Sequence, residues 1–216
     1  MATRNIFVSV GSPANDEQEA FIQAVENRLR GEGFVPNTVG RNSFSNDAPL
    51  RQVVGLLDNC DGAIVVALER TYFPAGLERR NGPKETRLAE VRLPTPWNHI
   101  EAAMAYSRRL PLMVIAESGL KDEGLLQHGY DWYVQRVTPG PAALTTHEFN
   151  SVLADWKSKV LAFEKSARAP DADARAKTPS ELSAKEILGA LKPGQIWSIL
   201  VAIGSIASGA FALGAK

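Results

Sequence analysis

The chain has 216 residues, of which 44% are hydrophobic, with 24 basic and 24 acidic residues and a single cysteine. This length suits one sizeable domain with an appendage, and the neutral charge balance gives no reason to expect a nucleic-acid partner. Cys60 and three scattered histidines exclude a zinc cluster or a disulfide framework, so we expect no bound metal and a reducing compartment. We interpret Cys60 as a packing residue. The first residues lead directly into an apolar run, so we expect no secretory signal.

The N-terminal part predicts a strand, a glycine turn and an amphipathic helix. The apolar, β-branched run 6–10 is typical of a strand. Asn15 is a candidate N-cap for a helix that is expected to stop at Gly33. A second strand is expected at 34–39, at an edge of the sheet because Pro36 cannot donate a hydrogen bond to a neighbouring strand.

The central part continues this alternation. Pro49 opens a helix, and the continuous apolar run 63–68 predicts a strand that helices cover on both faces. The arginine-rich stretch 69–97 is interpreted as a long loop, either a lid or a binding loop, although its mixed charges also fit plain solvation. A small-residue helix from Trp97 and a buried strand at 112–116 are expected to follow.

The last part of the domain predicts one more strand and a closing helix. The strand is expected at 132–137, and the helix at 149–163 after the capping-box spacing of Thr145 and Glu148. Alternating strands and helices imply an α/β fold, a three-layer sandwich with a mostly parallel sheet of about five strands.

The tail differs in composition from the domain at 1–166. Residues 167–195 read as a polar linker with a short helix, and 196–216 hold an uncharged stretch that ends at Lys216. That stretch is long enough to cross a hydrocarbon core of roughly 30 Å. We expect a transmembrane helix, or alternatively a buried oligomerisation helix. The small residues spaced four apart there favour self-association, so a homo-oligomer is expected.

One acid stands out at the start of the helix near Trp97. Glu101 is expected near the N-terminus of that helix and close to the carboxyl edge of the sheet, where α/β proteins keep their ligand sites. The alternative is a first-turn acid that only complements the helix dipole.

These residues resemble two related families. The glycine turn after the first strand, the unit Leu57-Asp-Asn-Cys-Asp-Gly-Ala-Ile-Val-Val-Ala-Leu68 and the helix Trp97-Asn-His-Ile-Glu-Ala-Ala-Met-Ala-Tyr106 are similar to the nucleoside 2-deoxyribosyltransferase-like superfamily. The spacing from Trp97 to Glu101 also resembles the tryptophan-to-glutamate segment of Toll/interleukin-1 receptor (TIR) domains. The resemblance covers about residues 5 to 117. It implies a flavodoxin-like architecture and cleavage of the N-glycosidic bond between a base and a ribose carbon.

The resemblance implies a role for Glu101 as the carboxylate that faces the anomeric carbon, either as a nucleophile or as an anion that stabilises an oxocarbenium-like transition state. The other candidates are binding residues. The turn at Gly11 and Ser12 is a candidate for a phosphate or ribose, and Trp97 for stacking on a base, with a tight turn and a core tryptophan as the plain alternatives. The remaining candidate substrate-binding residues are Arg41, Asn42, Arg70 and Asn98. Of these, Arg41, Asn42 and Arg70 are candidates to pair with a pyrophosphate, and the alternative is that the arginines are only solvated.

Two departures from the deoxyribosyltransferase pattern favour hydrolysis or ligand binding over deoxyribosyl transfer. Phe7 stands where that family tends to carry a tyrosine, and Pro94-Thr-Pro96 stands where it carries an acid. The first hypothesis is therefore a hydrolase that acts on NAD or a related nucleotide or nucleoside as substrate, with no other cofactor. We expect its domain to be cytoplasmic and its C-terminus to anchor it at the inner membrane. This arrangement would resemble that of prokaryotic defence effectors. The alternatives are a nucleotide sensor that clusters membrane helices and a TIR-like adaptor for protein partners.

Overall fold

The computed structural model describes residues 3–163, apart from positions 45, 47, 128, 130 and 131. Its strands, in chain order, are β1 (Arg4–Val10), β2 (Phe34–Asn37), β3 (Gly62–Ala67), β4 (Thr71–Glu78), β5 (Thr86–Leu93), β6 (Leu112–Glu117) and β7 (Val134–Val137). Its α-helices are α1 (Asp16–Gly31), α2 (Pro49–Asn59), α3 (Pro96–Ser107) and α4 (His147–Ala162).

Five strands form a parallel sheet in the order β2-β1-β3-β6-β7. Apart from the inserted β4 and β5, this is the flavodoxin-like order, with a topological switch point between β1 and β3. The predicted α/β class and the five-stranded parallel sheet are confirmed, and β2 with Pro36 lies at an edge as expected.

The sheet is covered on both faces, which explains the continuous apolar sequence of β3. Ile64 and Val66 pack with α1 and α4, whereas Ala63 and Val65 face the side that holds α2 and α3. All of β3 is buried. Cys60 lies in the core beside α2, in agreement with the packing interpretation.

The expected long loop between β3 and α3 is wrong, because the stretch forms an antiparallel hairpin of β4 and β5. The alternation of apolar and polar residues that marks a strand is weak there, since Pro74 and Gly76 interrupt β4. The cross-strand pair of Phe73 and Val91 can be recognised only once the register of the hairpin is known. A lone two-stranded hairpin is marginal in water. Lys121 ties this one to the body: its backbone N–H donates to the Arg92 carbonyl at 2.9 Å and its ammonium group lies 2.8 Å from the Glu78 carboxylate.

The predicted helix starts are close to the observed ones. Asn15 caps α1, accepting from the Gln18 backbone N–H at 2.8 Å, as predicted. At α4 the cap is Thr146 rather than Thr145, since the Thr146 hydroxyl accepts from the Phe149 N–H at 3.2 Å. The strand expected at 132–137 is shorter, because β7 begins at Val134.

The predicted linker at 167–195 and the predicted hydrophobic helix at 196–216 lie outside the described residues. Within residues 3–163, no helix combines the length and the apolar character that a membrane crossing requires.

Candidate functional site

An open cleft of about 370 Å³ lies at the carboxyl end of β1, beside the start of α3. This is the edge of the sheet where flavodoxin-like proteins bind ligands, next to the switch point of the strand order. The cleft is lined by Val10, Gly11, Ser12, Val39, Pro49, Val53, Arg70, Thr95, Trp97 and Glu101.

The start of α3 places an aromatic side chain on the cleft wall. Pro96 occupies the first turn, where its missing N–H costs nothing, and the Thr95 hydroxyl accepts from the Trp97 N–H at 3.4 Å. Trp97 is 44% exposed and lines the cleft, so the core-tryptophan alternative is wrong. An exposed indole beside a cleft offers a flat apolar face for a planar ring.

Glu101 lies deeper in the same cleft and is only 9% exposed. It is the sixth residue of α3, beyond the first turn, so the first-turn dipole explanation is wrong. Burial raises the pKa of Glu101 from 4.5 to about 7, and a hydrogen bond with the Ser9 side chain opposes that rise. Nearby Arg108 pairs instead with Asp58 at 2.8 Å. A carboxylate that is costly to ionise and faces an open cleft is a chemically reactive arrangement.

Two buried polar residues lie beneath Glu101. Asn98 and Ser9 are each 1% exposed. The Asn98 Nδ2 group donates to the Ser9 hydroxyl at 2.9 Å and approaches the Ser9 carbonyl at 3.4 Å. Asn98 was predicted to bind substrate, and the structure places it outside the cleft lining, beside a small void under Gly11 and Ser12.

The turn after β1 approaches α3 closely. A Cβ atom on Gly11 would lie 3.1 Å from Thr95 Cγ2, so any larger residue here would require the Thr95 side chain to shift by a few tenths of an ångström. Arg70 reaches the same turn, where its Nη1 donates to the Ser12 carbonyl at 3.4 Å. The first turn of α1 behind it carries the acids Asp16, Glu17 and Glu19, and these carboxylates disfavour a phosphate at this helix end.

Arg41 and Asn42, two further predicted binding residues, do not line the cleft. Arg41 makes two hydrogen bonds of 2.8 Å to the Glu19 carboxylate, which lower the pKa of Glu19 to about 2. The Asn42 side chain accepts from the Thr38 backbone N–H at 2.6 Å. These contacts fold the loop after β2 onto α1. A role of either residue in binding substrate stays a prediction.

The structure thus brings together five of the predicted residues, Gly11, Ser12, Arg70, Trp97 and Glu101. Sequence reasoning missed Ser9, Thr95 and the apolar wall formed by Val10, Val39, Pro49 and Val53. For Ser9 a signal was present, because it is the only polar residue in the run 6–10. The apolar wall could not be predicted, because the sequence does not distinguish an apolar residue that lines a cleft from one that packs in the core.

Asp61, which precedes the apolar strand in the resemblance, lies at the opposite end of β3 from the cleft. Its carboxylate accepts from the Asn5 backbone N–H at 2.9 Å and pairs with Arg4 at 3.3 Å, and the residue is buried. These contacts join β1 to the start of β3, so the role of this carboxylate is structural.

No family model and no curated protein matches the chain. Solved structures of similar architecture include a CMP N-glycosidase, BcmB, from Clostridium botulinum, at 11% identity and a TM-score of 0.44, covering 70% of this chain and 99% of that one. A 2-deoxyribosyltransferase from Leishmania mexicana is similar at 14% identity and a TM-score of 0.40, covering 72% of this chain and 97% of that one. The TIR domains of the activated Roq1 resistosome, which recognises the effector XopQ, are similar at 13% identity and a TM-score of 0.36, covering 74% and 79%. Both families named by the sequence resemblance are represented among these structures.

Proposed function

We propose that the protein hydrolyses the N-glycosidic bond of a nucleoside or nucleotide, with NAD as the first substrate to test. The observation that carries this proposal is Glu101, a buried carboxyl group at the floor of an open cleft, with an exposed tryptophan on the wall. Burial costs this acid its hydration, and none of the described cations contributes to its pKa. A carboxyl group that served only the stability of the fold would have no need of this cost.

In the proposed reaction the ionised Glu101 faces the anomeric carbon of the ribose. The bond from that carbon to the base nitrogen breaks, and its electron pair leaves with the base. Glu101 either bonds to the carbon or stabilises its positive charge. Water then adds its hydroxyl to the carbon and gives up a proton to solvent. Where a bond to Glu101 has formed, that bond breaks in this step and its electron pair returns to the carboxylate as the sugar product leaves. The low polarity around the buried carboxylate strengthens its attraction for the developing cation.

The set of acids in the cleft bears on the leaving group. Among the described residues that line the cleft, Glu101 is the only acid, so these residues offer no second carboxyl group to protonate a departing base. Nicotinamide needs no such proton, because its ring nitrogen is positively charged in NAD and becomes neutral when the bond breaks. This chemistry favours NAD or another N-alkylated base over an ordinary purine or pyrimidine.

The rest of the cleft fits the remaining parts of such a substrate. Trp97 offers a stacking surface for a base, worth about 1–3 kcal/mol in comparable sites. Arg70, the only basic side chain among the described lining residues, offers a partner for a phosphate at the rim.

The test is to incubate full-length protein with NAD and with a panel of nucleosides and nucleotides, and to follow release of free base by chromatography. Release by wild type that is lost in Glu101→Gln supports the proposal. Glu148→Gln, the same change at an exposed position on α4 outside the cleft, is the matched control and is expected to retain activity.

Two other outcomes would overturn this function. Binding of a nucleotide without release would identify a sensor, and no binding at all would favour a TIR-like adaptor. Tethering through 196–216, homo-oligomer formation and a defence role remain predictions from the sequence.

A further inference from the structure

The polar residues beneath the cleft form a connected chain. Asn98 precedes Glu101 by three positions on α3, so the two side chains lie on the same face of the helix, above β1. Ser9 comes from β1, accepts a hydrogen bond from the Asn98 amide at 2.9 Å, and is the side chain whose hydrogen bonding lowers the pKa of Glu101. Three polar groups contributed by a strand and a helix are thus buried on one side of α3.

The chemistry of these groups fixes the direction of the hydrogen bonds. The Asn98 NH₂ group is only a donor, so the Ser9 oxygen accepts from it. The Ser9 hydroxyl has one hydrogen, which is therefore free to point at Glu101. An ionised carboxylate is only an acceptor, and this arrangement supplies it with a donor that the Asn98 amide holds in place.

The cost of burying Asn98 supports a purpose for its amide. Within the described part of the chain its Oδ1 atom is buried and has no hydrogen-bond partner. Burying an unpaired amide oxygen is unfavourable, and an apolar residue at this position of α3 would avoid that cost. Orienting the Ser9 hydroxyl is a physical reason to keep the Asn98 amide buried in spite of this cost.

We propose that Ser9 and Asn98 are positioning residues for Glu101, with Asn98 orienting the Ser9 hydroxyl so that it donates to the carboxylate beneath the substrate. Neither side chain needs to touch substrate, which changes the predicted role of Asn98. The catalytic part of this proposal rests on the function proposed above, but the hydrogen-bond chain itself does not.

Removing the Ser9 donor is expected to raise the pKa of Glu101. The titratable groups on the cleft wall and on or beside the elements packed against α3 include Arg4, Arg51, Asp58, Asp61, Glu69, Arg70, His99, Tyr106, Arg108, Glu117 and Glu123. The influences on the pKa of Glu101 are instead its burial, which raises it, and the Ser9 hydrogen bond, which lowers it. A hydrogen bond to a charged group is strong enough to move a pKa by about one unit.

The experiment is a titration of the Glu101 side-chain carboxyl by carbon-13 NMR in full-length protein, assigned by its loss in Glu101→Gln. In Ser9→Ala the midpoint is expected to rise by about one pH unit. Asn98→Ala should raise it by less, because the hydroxyl remains but is no longer held. Ser107→Ala is the matched control: its hydroxyl bonds the Met104 carbonyl at the exposed end of α3, and the Glu101 midpoint should not change.

An unchanged midpoint in folded Ser9→Ala would overturn the proposal. If that variant does not fold, an unchanged midpoint in Asn98→Ala would do the same. No substrate is needed for this titration, so its result is separate from base release. A shifted midpoint without any base release would support the positioning chain and reject the enzyme. An unchanged midpoint with base release would reject the positioning chain and support the enzyme.

The same variants carry a kinetic signature once base release is measured. If the ionised Glu101 acts, the rate rises with pH through its pKa, and Ser9→Ala moves that rise to higher pH by the amount seen in the titration. A merely structural role of Ser9 would lower the rate at every pH and leave the midpoint in place.

Discussion

Replacing Glu101 with glutamine is expected to stabilise the protein, and only above about pH 4.5. The pKa of Glu101 is raised from 4.5 to about 7, so the folded protein holds this proton more tightly than the unfolded chain does. The associated stability is complete below pH 4.5 and is lost as the pH rises towards 7. At about 1.4 kcal/mol per pKa unit, ionisation of Glu101 lowers the free energy of unfolding of wild type by about 3 kcal/mol between about pH 4.5 and pH 8. Glutamine has no proton to lose and avoids this cost.

The assay is calorimetric melting of full-length wild type, Glu101→Gln and the control Glu148→Gln from pH 4 to pH 8. About 3 kcal/mol corresponds to a difference in Tm of roughly 6–12 °C for a chain of this size. The difference should be absent at pH 4 and complete at pH 8, since all other titrating groups are shared. A difference that does not vary with pH, or that grows towards acid pH, would refute a buried carboxyl group of raised pKa at this position.

Three further predictions concern individual residues. Trp97→Ala is expected to raise KM for the substrate about tenfold with a smaller effect on kcat, because about 1–3 kcal/mol of stacking is lost from the cleft wall; steady-state kinetics of base release would contradict this if KM were unchanged. Arg70→Gln should weaken phosphate-bearing ligands by about fivefold or more and leave the matching nucleosides unaffected, which calorimetric titration of each pair measures; equal weakening of both would show that Arg70 does not bind the phosphate. Asp61→Asn is expected to lower the free energy of unfolding by about 1–3 kcal/mol without changing kcat, since the buried carboxylate joins Arg4 and the Asn5 N–H far from the cleft; denaturant unfolding tests the first part, and a loss of kcat in the folded variant would contradict the second.

The parallel sheet was predictable because its signals are local and repeated. The run 63–68 is apolar throughout, which only a strand covered on both faces tolerates, and the flanking segments show helical spacing. Proline at the first turns of α2 and α3 and the Asn15 cap mark helix starts through the backbone chemistry of a few residues. The hairpin of β4 and β5 was missed because it is stabilised by pairing across the chain rather than by a pattern within either strand.

Part of the candidate site could be predicted from the sequence. Glu101 and Trp97 could be chosen from their position at a helix start after a proline-rich loop, where α/β proteins place ligand sites. Arg41 was predicted to bind substrate from its charge alone, and charge does not show which group an arginine pairs with. In the structure two guanidinium N–H groups of Arg41 donate to the carboxylate of Glu19, which lies 22 positions earlier in the sequence.

The sequence by itself therefore determined the order and type of most elements of the domain, and with them the edge of the sheet where Glu101 lies, because hydrophobic period and capping act over a few residues. Only the tertiary structure decided the environment of that acid. Ser9 and Asn98 are 89 positions apart, and their hydrogen bond exists because β1 lies under α3. Burial of Glu101 and the resulting pKa of about 7 are properties of that packing, since the loss of water around a carboxyl group depends on every element that surrounds it.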